Sequence, residues 1–214
     1  MMKKSILVGA DPFPPYQYYD DCGKIQGSDF ERVLQAFHRA GYEIKVILEE
    51  WFKIEEALTN QKIDAAFQVQ CTSERAKRYY FSNLLRDAVT EVVTGHNNLD
   101  LKSYREIIDQ QLSVGVITNY AYGKDIDNID VSLKRSFNSQ QELLKAINDQ
   151  VVDIGVFDKG VKEYIAQKEG FNNIFSIKNL EFNRPLYVVF NSESLRDEFN
   201  EGMGHMGVVN ERIS

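Results

Sequence analysis

Short apolar runs of strand length alternate with segments of helical period along almost the whole chain. That alternation restricts it to α/β layers around mainly parallel sheets. Ile6-Leu7-Val8-Gly9-Ala10 reads as a first strand and Tyr16-Gln17-Tyr18-Tyr19 as a hairpin arm. Phe30, Val33, Leu34 and Phe37 recur on one helical face, which Asp29 can cap and Gly41 can stop. Residues 44–48 form the next strand, residues 54–58 lie on a second helix, and Ile63-Asp64-Ala65-Ala66-Phe67-Gln68 is a buried strand. Further on, Ser113-Val114-Gly115-Val116 opens a second strand series. Ser139 can cap a helix carrying Leu143, Leu144 and Ile147, and Tyr164 and Ile165 lie on another.

One stretch occurs twice. Ala57-Leu58-Thr59-Asn60-Gln61-Lys62-Ile63-Asp64 is echoed by Ala146-Ile147-Asn148-Asp149-Gln150-Val151-Val152-Asp153. Each ends a helix and enters an apolar strand, so the two are either one structural unit used in two lobes or two ordinary helix-to-strand connections. Residues 89–95 and 185–190 are extended apolar segments and read as the two crossings of a hinge. Lobe 1 is then expected to be residues 1–92 with 186–214, and lobe 2 residues 93–185.

With 214 residues, 43% of them hydrophobic, the chain can bury a core of one large domain or two small lobes. A formal charge of -7 argues against a nucleic-acid surface, which needs a basic stripe. No apolar run approaches the length of a membrane span. Met1-Met2-Lys3-Lys4 has the charge of a signal peptide without its apolar region. Cys22 and Cys71 stand in different contexts and are not expected to pair, and no Cys/His spacing suggests zinc. His38, His96 and His205 are scattered, with no nucleophile or acid arranged beside them. Neither a metal nor a cofactor is expected.

The chemistry concentrates in Gln70-Cys71-Thr72-Ser73-Glu74-Arg75, followed by Tyr80-Phe81-Ser82. The segment follows a strand and opens a helical run over 73–79, so Thr72 is placed to cap a helix N-terminus. Such a terminus offers unpaired N–H groups and partial positive charge to an anion. Arg75 adds a planar fork able to grip a carboxylate at two points. The plainer alternative is a capped surface helix whose Arg pairs with a nearby Asp or Glu.

Five features in order resemble the type 3 extracellular solute-binding proteins, the amino-acid-binding components of bacterial ABC importers. They are Phe13-Pro14-Pro15-Tyr16, then Gly27-Ser28-Asp29-Phe30, then Trp51 ahead of Ala57-Leu58-Thr59-Asn60-Gln61-Lys62-Ile63-Asp64. Thr72-Ser73-Glu74-Arg75 with Phe81-Ser82 follows, and Val151-Val152-Asp153 with Asp158 completes the order. The resemblance implies an α/β, two-lobed periplasmic-binding-protein fold of type II, the Venus-flytrap form, with a ligand cleft between lobes. It implies a periplasmic or extracellular location, with an export signal that this sequence lacks.

The resemblance also assigns roles. Arg75 and Thr72 take the ligand carboxylate and Asp158 its ammonium, so that neither charge is stranded on burial. The plainer role for Asp158 is to cap the helix that follows it. Phe13 and Trp51 match positions whose rings cover the ligand side chain. Gln68 and Gln70 stand where the family has small or hydroxyl residues, and Asn119-Tyr120 where it has Gly followed by Ser or Thr. These departures imply a reshaped pocket and a polar amino acid, neutral or basic. The implied protein is a monomeric, non-enzymatic receptor that closes on an amino acid and hands it to an ABC permease. The same module also serves as a sensor domain of signalling receptors. Related modules occur in a dehydratase and in lyases, but the acids at hand, Asp11, Glu74 and Asp158, are more simply explained by pairing or capping.

Overall fold

The computed structural model describes residues 4–118, 120 and 122–204; Asn119, Ala121 and His205 lie outside them. In chain order the first elements are β1 (Lys4–Ala10), β2 (Tyr18–Tyr19), β3 (Ile25–Gln26), α1 (Ser28–Arg39), β4 (Tyr42–Leu48) and α2 (Trp51–Thr59). There follow β5 (Ala65–Gln70), β6 (Tyr80–Phe81), β7 (Arg86–Thr94), α3 (Arg105–Asp109), β8 (Val114–Ile117), α4 (Lys124–Asp127) and β9 (Lys134–Phe137). The last are α5 (Gln140–Asn148), β10 (Ile154–Asp158), α6 (Lys159–Glu169), β11 (Phe175–Ser176), β12 (Phe182–Phe190) and α7 (Glu193–Met203). The chain divides into two compact units, Met1–Ala88 with Arg184–Ser214, and Val89–Asn183. Both divisions fall within the apolar strands β7 and β12.

In the first unit, β1 pairs in parallel with β4 and with β5, and β12 runs antiparallel to β5. Helices α1 and α7 cover one face, where Val8, Phe67, Val188 and Phe190 meet Val33, Phe37 and Phe199. Helix α2 covers the other through Ile54 and Leu58, against Ala66, Val69 and Val189. The buried face of α1 is Asp29, Val33, Ala36 and Phe37, whereas Leu34 points outward. Asp29 is not the cap of α1. The cap position is Gly27, and the carbonyl of Tyr16 accepts from the amides of Asp29 (3.0 Å) and Phe30 (3.2 Å). Gly27 has φ +125°, and a Cβ there would lie 2.2 Å from that carbonyl oxygen, so only glycine fits. Asp29 is thereby left to pair with Arg86 at 3.0 Å, with both side chains buried.

In the second unit, β10 pairs in parallel with β8 and antiparallel with β7, and β9 pairs in parallel with β8. Val92, Val114, Ile154 and Val156 form one core with Ile107, Tyr122 and Ile126. On the opposite face Gly115 lets α5 approach, since a Cβ there would lie 2.2 Å from Leu143 Cδ1. Ser139 caps α5 as expected, accepting from the Glu142 amide at 3.1 Å.

The sequence echo is a structural repeat. At the end of α2, Asn60, Gln61 and Lys62 donate to the carbonyls of Glu56, Leu58 and Ala57 at 2.9, 3.0 and 2.8 Å. At the end of α5, Asp149, Gln150 and Val151 donate to Lys145, Ile147 and Ala146 at 2.9, 3.0 and 2.8 Å. This is the left-handed helix terminator usually built on glycine, yet Gln61 and Gln150 occupy it with φ 54° and 56°. The aspartate that follows each turn then takes an amide of the neighbouring strand, Asp64 that of Leu7 and Asp153 that of Ser113, both at 2.8 Å. Burial alone would raise the Asp153 carboxyl. The Ser113 hydroxyl and amide, with His96, outweigh burial and hold it below its usual value. Its contribution to stability is therefore complete above pH about 3.9 and is lost as pH falls through the lower folded pKa.

A left-handed glutamine is strained by about 1–2 kcal/mol, part of which glycine returns as backbone entropy. Gln61→Gly is expected to raise the free energy of unfolding in urea by about 0.5–1 kcal/mol. Gln150→Gly should gain little, because it also loses the Gln150 side chain, whose Nε2 donates to the Gly95 carbonyl at 2.9 Å. Lower stability of Gln61→Gly than of the parent would refute the strain argument.

Candidate functional site

Strand β5 ends at Gln70, and the chain turns through Thr72 towards β6. The helix expected over 73–79 is replaced by a single 3-10 turn, Arg75–Lys77. Tyr80 and Phe81 pair with β12, and this pulls the chain into extended form before a second turn can be added. The capping bond itself is made, because the Thr72 hydroxyl accepts from the Arg75 amide at 3.2 Å.

The Arg75 side chain returns over α2. Trp51 opens that helix, and Glu55 follows one turn later on the same side. The guanidinium carbon lies 4.9 Å from the centre of the Trp51 ring. Nε donates to Glu55 Oε1 at 3.0 Å and Nη1 to the Gln70 carbonyl at 3.4 Å. Among the described residues, Arg75 Nη2 and Glu55 Oε2 meet no protein partner. Trp51, Glu55, Gln70, Thr72 and Arg75 thus form one cluster.

Glu55 was not singled out in the sequence. Its only signal there is its spacing of four from Trp51, and nothing in that spacing brings the helix face against Arg75. The plainer expectation for Arg75, pairing with a nearby carboxylate, is therefore realised in the structure. The pairing leaves the outer edge of the guanidinium open.

Gln68 sits where the pairing of β5 with β12 shifts register between Tyr187 and Val189, and its φ is 64°. Its Oε1 is buried and has no hydrogen-bond partner among the described residues. Phe13, whose ring the resemblance sets over the ligand side chain, is buried. The residue is 4% exposed and its ring stacks with Tyr16 at 6.2 Å, inside a turn in which the Tyr16 amide donates to the Phe13 carbonyl at 2.9 Å. Arg86 lies over the same Tyr16 ring at 3.4 Å. Both thiols, Cys22 and Cys71, are free and exposed.

In the second unit Asp158 ends β10 and caps α6, accepting from the amides of Gly160 at 3.0 Å and Val161 at 3.4 Å. The capping role weighed for it in the sequence is present. Thr90 stands opposite Asp158 across the β7–β10 pair, and its hydroxyl is buried without a partner among the described residues. Tyr120, just beyond the end of β8, packs against the apolar core with Tyr122 at 6.3 Å. Because β8 and β10 run parallel, the Tyr120 segment and Asp158 leave the sheet at the same end. Among the described residues no group of three or more His, Cys, Asp or Glu is arranged to hold a metal. No helix there is long and apolar enough to cross a membrane. A hollow of about 520 Å³ lined by Arg39, Ala40, Glu198, Glu201 and Gly202 contains none of the residues of the site.

The sequence profile of the bacterial extracellular solute-binding proteins, family 3, matches residues 6–207. A probable amino-acid ABC transporter-binding protein of Haemophilus influenzae is 22% identical over 209 residues, covering 91% of this chain and 80% of that relative. The fold is similar to that of an ancestral arginine-binding protein bound to arginine, with TM-score 0.81 and 20% identity, over 96% of this chain and 93% of that one. It is also similar to a histidine kinase sensor domain with similarity to periplasmic binding proteins, with TM-score 0.82 and 16% identity, over 94% and 90% of the two chains. These likenesses establish the two-lobed α/β fold.

The two arginines of the first unit differ in the work they do. The side chains of Arg86 and Asp29 are 5% and 4% exposed, whereas those of Arg75 and Glu55 are 23% and 34% exposed. Arg86→Ala removes the charged partner of the buried Asp29 carboxylate and is expected to lower stability by about 3–5 kcal/mol. Arg75→Ala removes a solvent-screened pair and should cost less than about 1 kcal/mol. Chemical denaturation of the two variants checks the contrast, and equal losses would contradict it.

Proposed function

The chain belongs to the bacterial extracellular solute-binding proteins, family 3, and we propose that it captures a polar amino acid and delivers it to an ABC permease. The observation that carries this reading is the open edge of Arg75. The guanidinium is held by Trp51, Glu55 and the Gln70 carbonyl, and its Nη2 meets no protein partner among the described residues. A fork fixed in this way can receive a carboxylate at two points without first losing its own side-chain freedom. The exposed Thr72 hydroxyl adds a nearby donor.

In this reading Asp158 receives the ligand ammonium and Tyr120 contributes from the same end of their sheet, while Asn119 is proposed from its place in the sequence alone. Ligands of open α/β sheets bind at the carboxyl ends of strands, where Asp158 and Tyr120 stand. Gln68 supplies a buried amide whose oxygen has no hydrogen-bond partner among the described residues, which suits a ligand side chain with N–H groups. Trp51 serves through Arg75 rather than by covering the ligand alone, and Phe13 serves by packing the turn before α1. Capture is coupled to hinge closure through β7 and β12, and the receptor acts as a monomer. The relative named as an amino-acid transporter-binding protein supports the ligand class and the permease partner. Nothing in the roles assigned requires bond-making or bond-breaking, so the protein is read as a receptor and not an enzyme.

Calorimetry with the twenty amino acids, on the parent and on Arg75→Ala, tests this. At least one polar amino acid should bind the parent. Loss of a charge-assisted pair of about 2–5 kcal/mol should weaken that binding by roughly 30- to 5,000-fold in the variant. Unchanged affinity in Arg75→Ala would end the assignment.

A further inference from the structure

The roles proposed so far use only one oxygen of Glu55, to hold Arg75. That oxygen accepts from Arg75 Nε at 3.0 Å, and the other oxygen has no protein donor among the described residues. The Trp51 ring and the Gln70 carbonyl also hold Arg75, and a neutral amide in place of the carboxylate could accept from Nε as well. For a neutral amino acid, a carboxylate here is a disadvantage. It weakens the pull of Arg75 on the ligand carboxylate and repels that carboxylate directly.

Charge counting points the same way. Arg75 and Glu55 cancel one another, so a ligand carboxylate held by Arg75 leaves one negative charge in excess beside them. A neutral side chain leaves that excess in place. A cationic side chain cancels it. We infer that Glu55 makes the site selective for an amino acid with a basic side chain, whose charged end is received by the second oxygen of the Glu55 carboxylate. This inference rests on the amino-acid-binding reading above. It narrows the ligand from polar to cationic and names the residue that does so. Gln68 Oε1, a second acceptor in the same unit with no partner among the described residues, is consistent with a side chain rich in N–H donors.

Arginine and citrulline are the probes, since they share size and shape and differ in the charge of the side-chain terminus. The parent should bind L-arginine at least about tenfold more tightly than L-citrulline, because a charge left unpaired on desolvation is heavily penalised. In Glu55→Gln the affinity for arginine should fall by about tenfold or more, and the ratio between the two ligands should drop below about threefold. Glu55→Asp, which keeps the charge, should retain a preference for arginine and so guards against a folding defect in the amide variant. A parent that prefers citrulline or glutamine overturns the inference. So does a Glu55→Gln variant that keeps the preference, or one that binds arginine more tightly because Glu55 had merely competed for Arg75. If Arg75→Ala abolishes binding in any of these cases, the amino-acid-binding reading stands and only the assignment of Glu55 fails. If no amino acid binds the parent, both fail together.

Discussion

Each unit depends on one aspartate at the root of a parallel strand. Asp64 and Asp153 follow a helix that ends in a left-handed residue, and each carboxylate takes an amide from the neighbouring strand at 2.8 Å. The contact fixes where β5 starts beside β1 and where β10 starts beside β8, and so fixes register. Register matters because a slip by one residue exchanges the faces of a strand. At the far ends of these two strands stand the residues given ligand roles. β5 leads into Gln70, Thr72 and Arg75, and β10 ends on Asp158. A carboxylate roughly 15–20 Å from the site, at about 3.3 Å per residue, therefore sets where the site residues emerge. The two connections are equivalent bond for bond, which explains why they share sequence: apolar positions for the helix face, a polar residue able to turn left-handed, then Asp.

The first unit contains two arginines beside aromatic rings, with opposite consequences. Arg86 lies over Tyr16 and pairs with Asp29, wholly inside the protein. Its environment locks the turn of Phe13 and Tyr16 to the start of α1, where the Tyr16 carbonyl receives two helix amides. Arg75 lies over Trp51 and pairs with Glu55 at a partly exposed position. The same chemical motif is buried and structural in one place and partly exposed in the other, where the proposed function uses it as the ligand's anchor. Burial decides between them, because a desolvated pair cannot exchange its partner without a large penalty, whereas a half-exposed one can.

Much of the architecture was legible because it rests on local rules. The alternation of strands and helices, the Ser139 cap, the Gly41 stop and the repeated connection each depend on residues near one another in sequence. What failed depended on distant partners. The helix over 73–79 did not form because β12, more than a hundred residues away, claims Tyr80 and Phe81. Asp29 has the composition of a cap, yet its carboxylate was drawn to Arg86 and a carbonyl took the capping role. Phe13 lies in a proline-rich turn that reads as open loop, but Tyr16 and the body of the unit close over it. Glu55 carried no local signal of its own. Trp51 and Arg75 could be picked from family positions, while the acid that joins them became visible only when α2 was set against the end of β5.

That acid changes how the site is to be understood. An arginine waiting alone for a carboxylate would be mobile and strongly hydrated, and a ligand would have to order it on arrival. Glu55, Trp51 and the Gln70 carbonyl order it beforehand, at the expense of some attraction for an incoming anion. Ordering and attraction thus oppose one another for any ligand whose only charges are the two on its α-carbon. They stop opposing one another when the ligand carries a further positive charge, since the group that weakens the carboxylate contact then gains a contact of its own. A site that pairs its own anchor in advance gives up affinity for ligands in general and recovers it for one class, which is how a small set of charges can yield discrimination rather than tight binding alone.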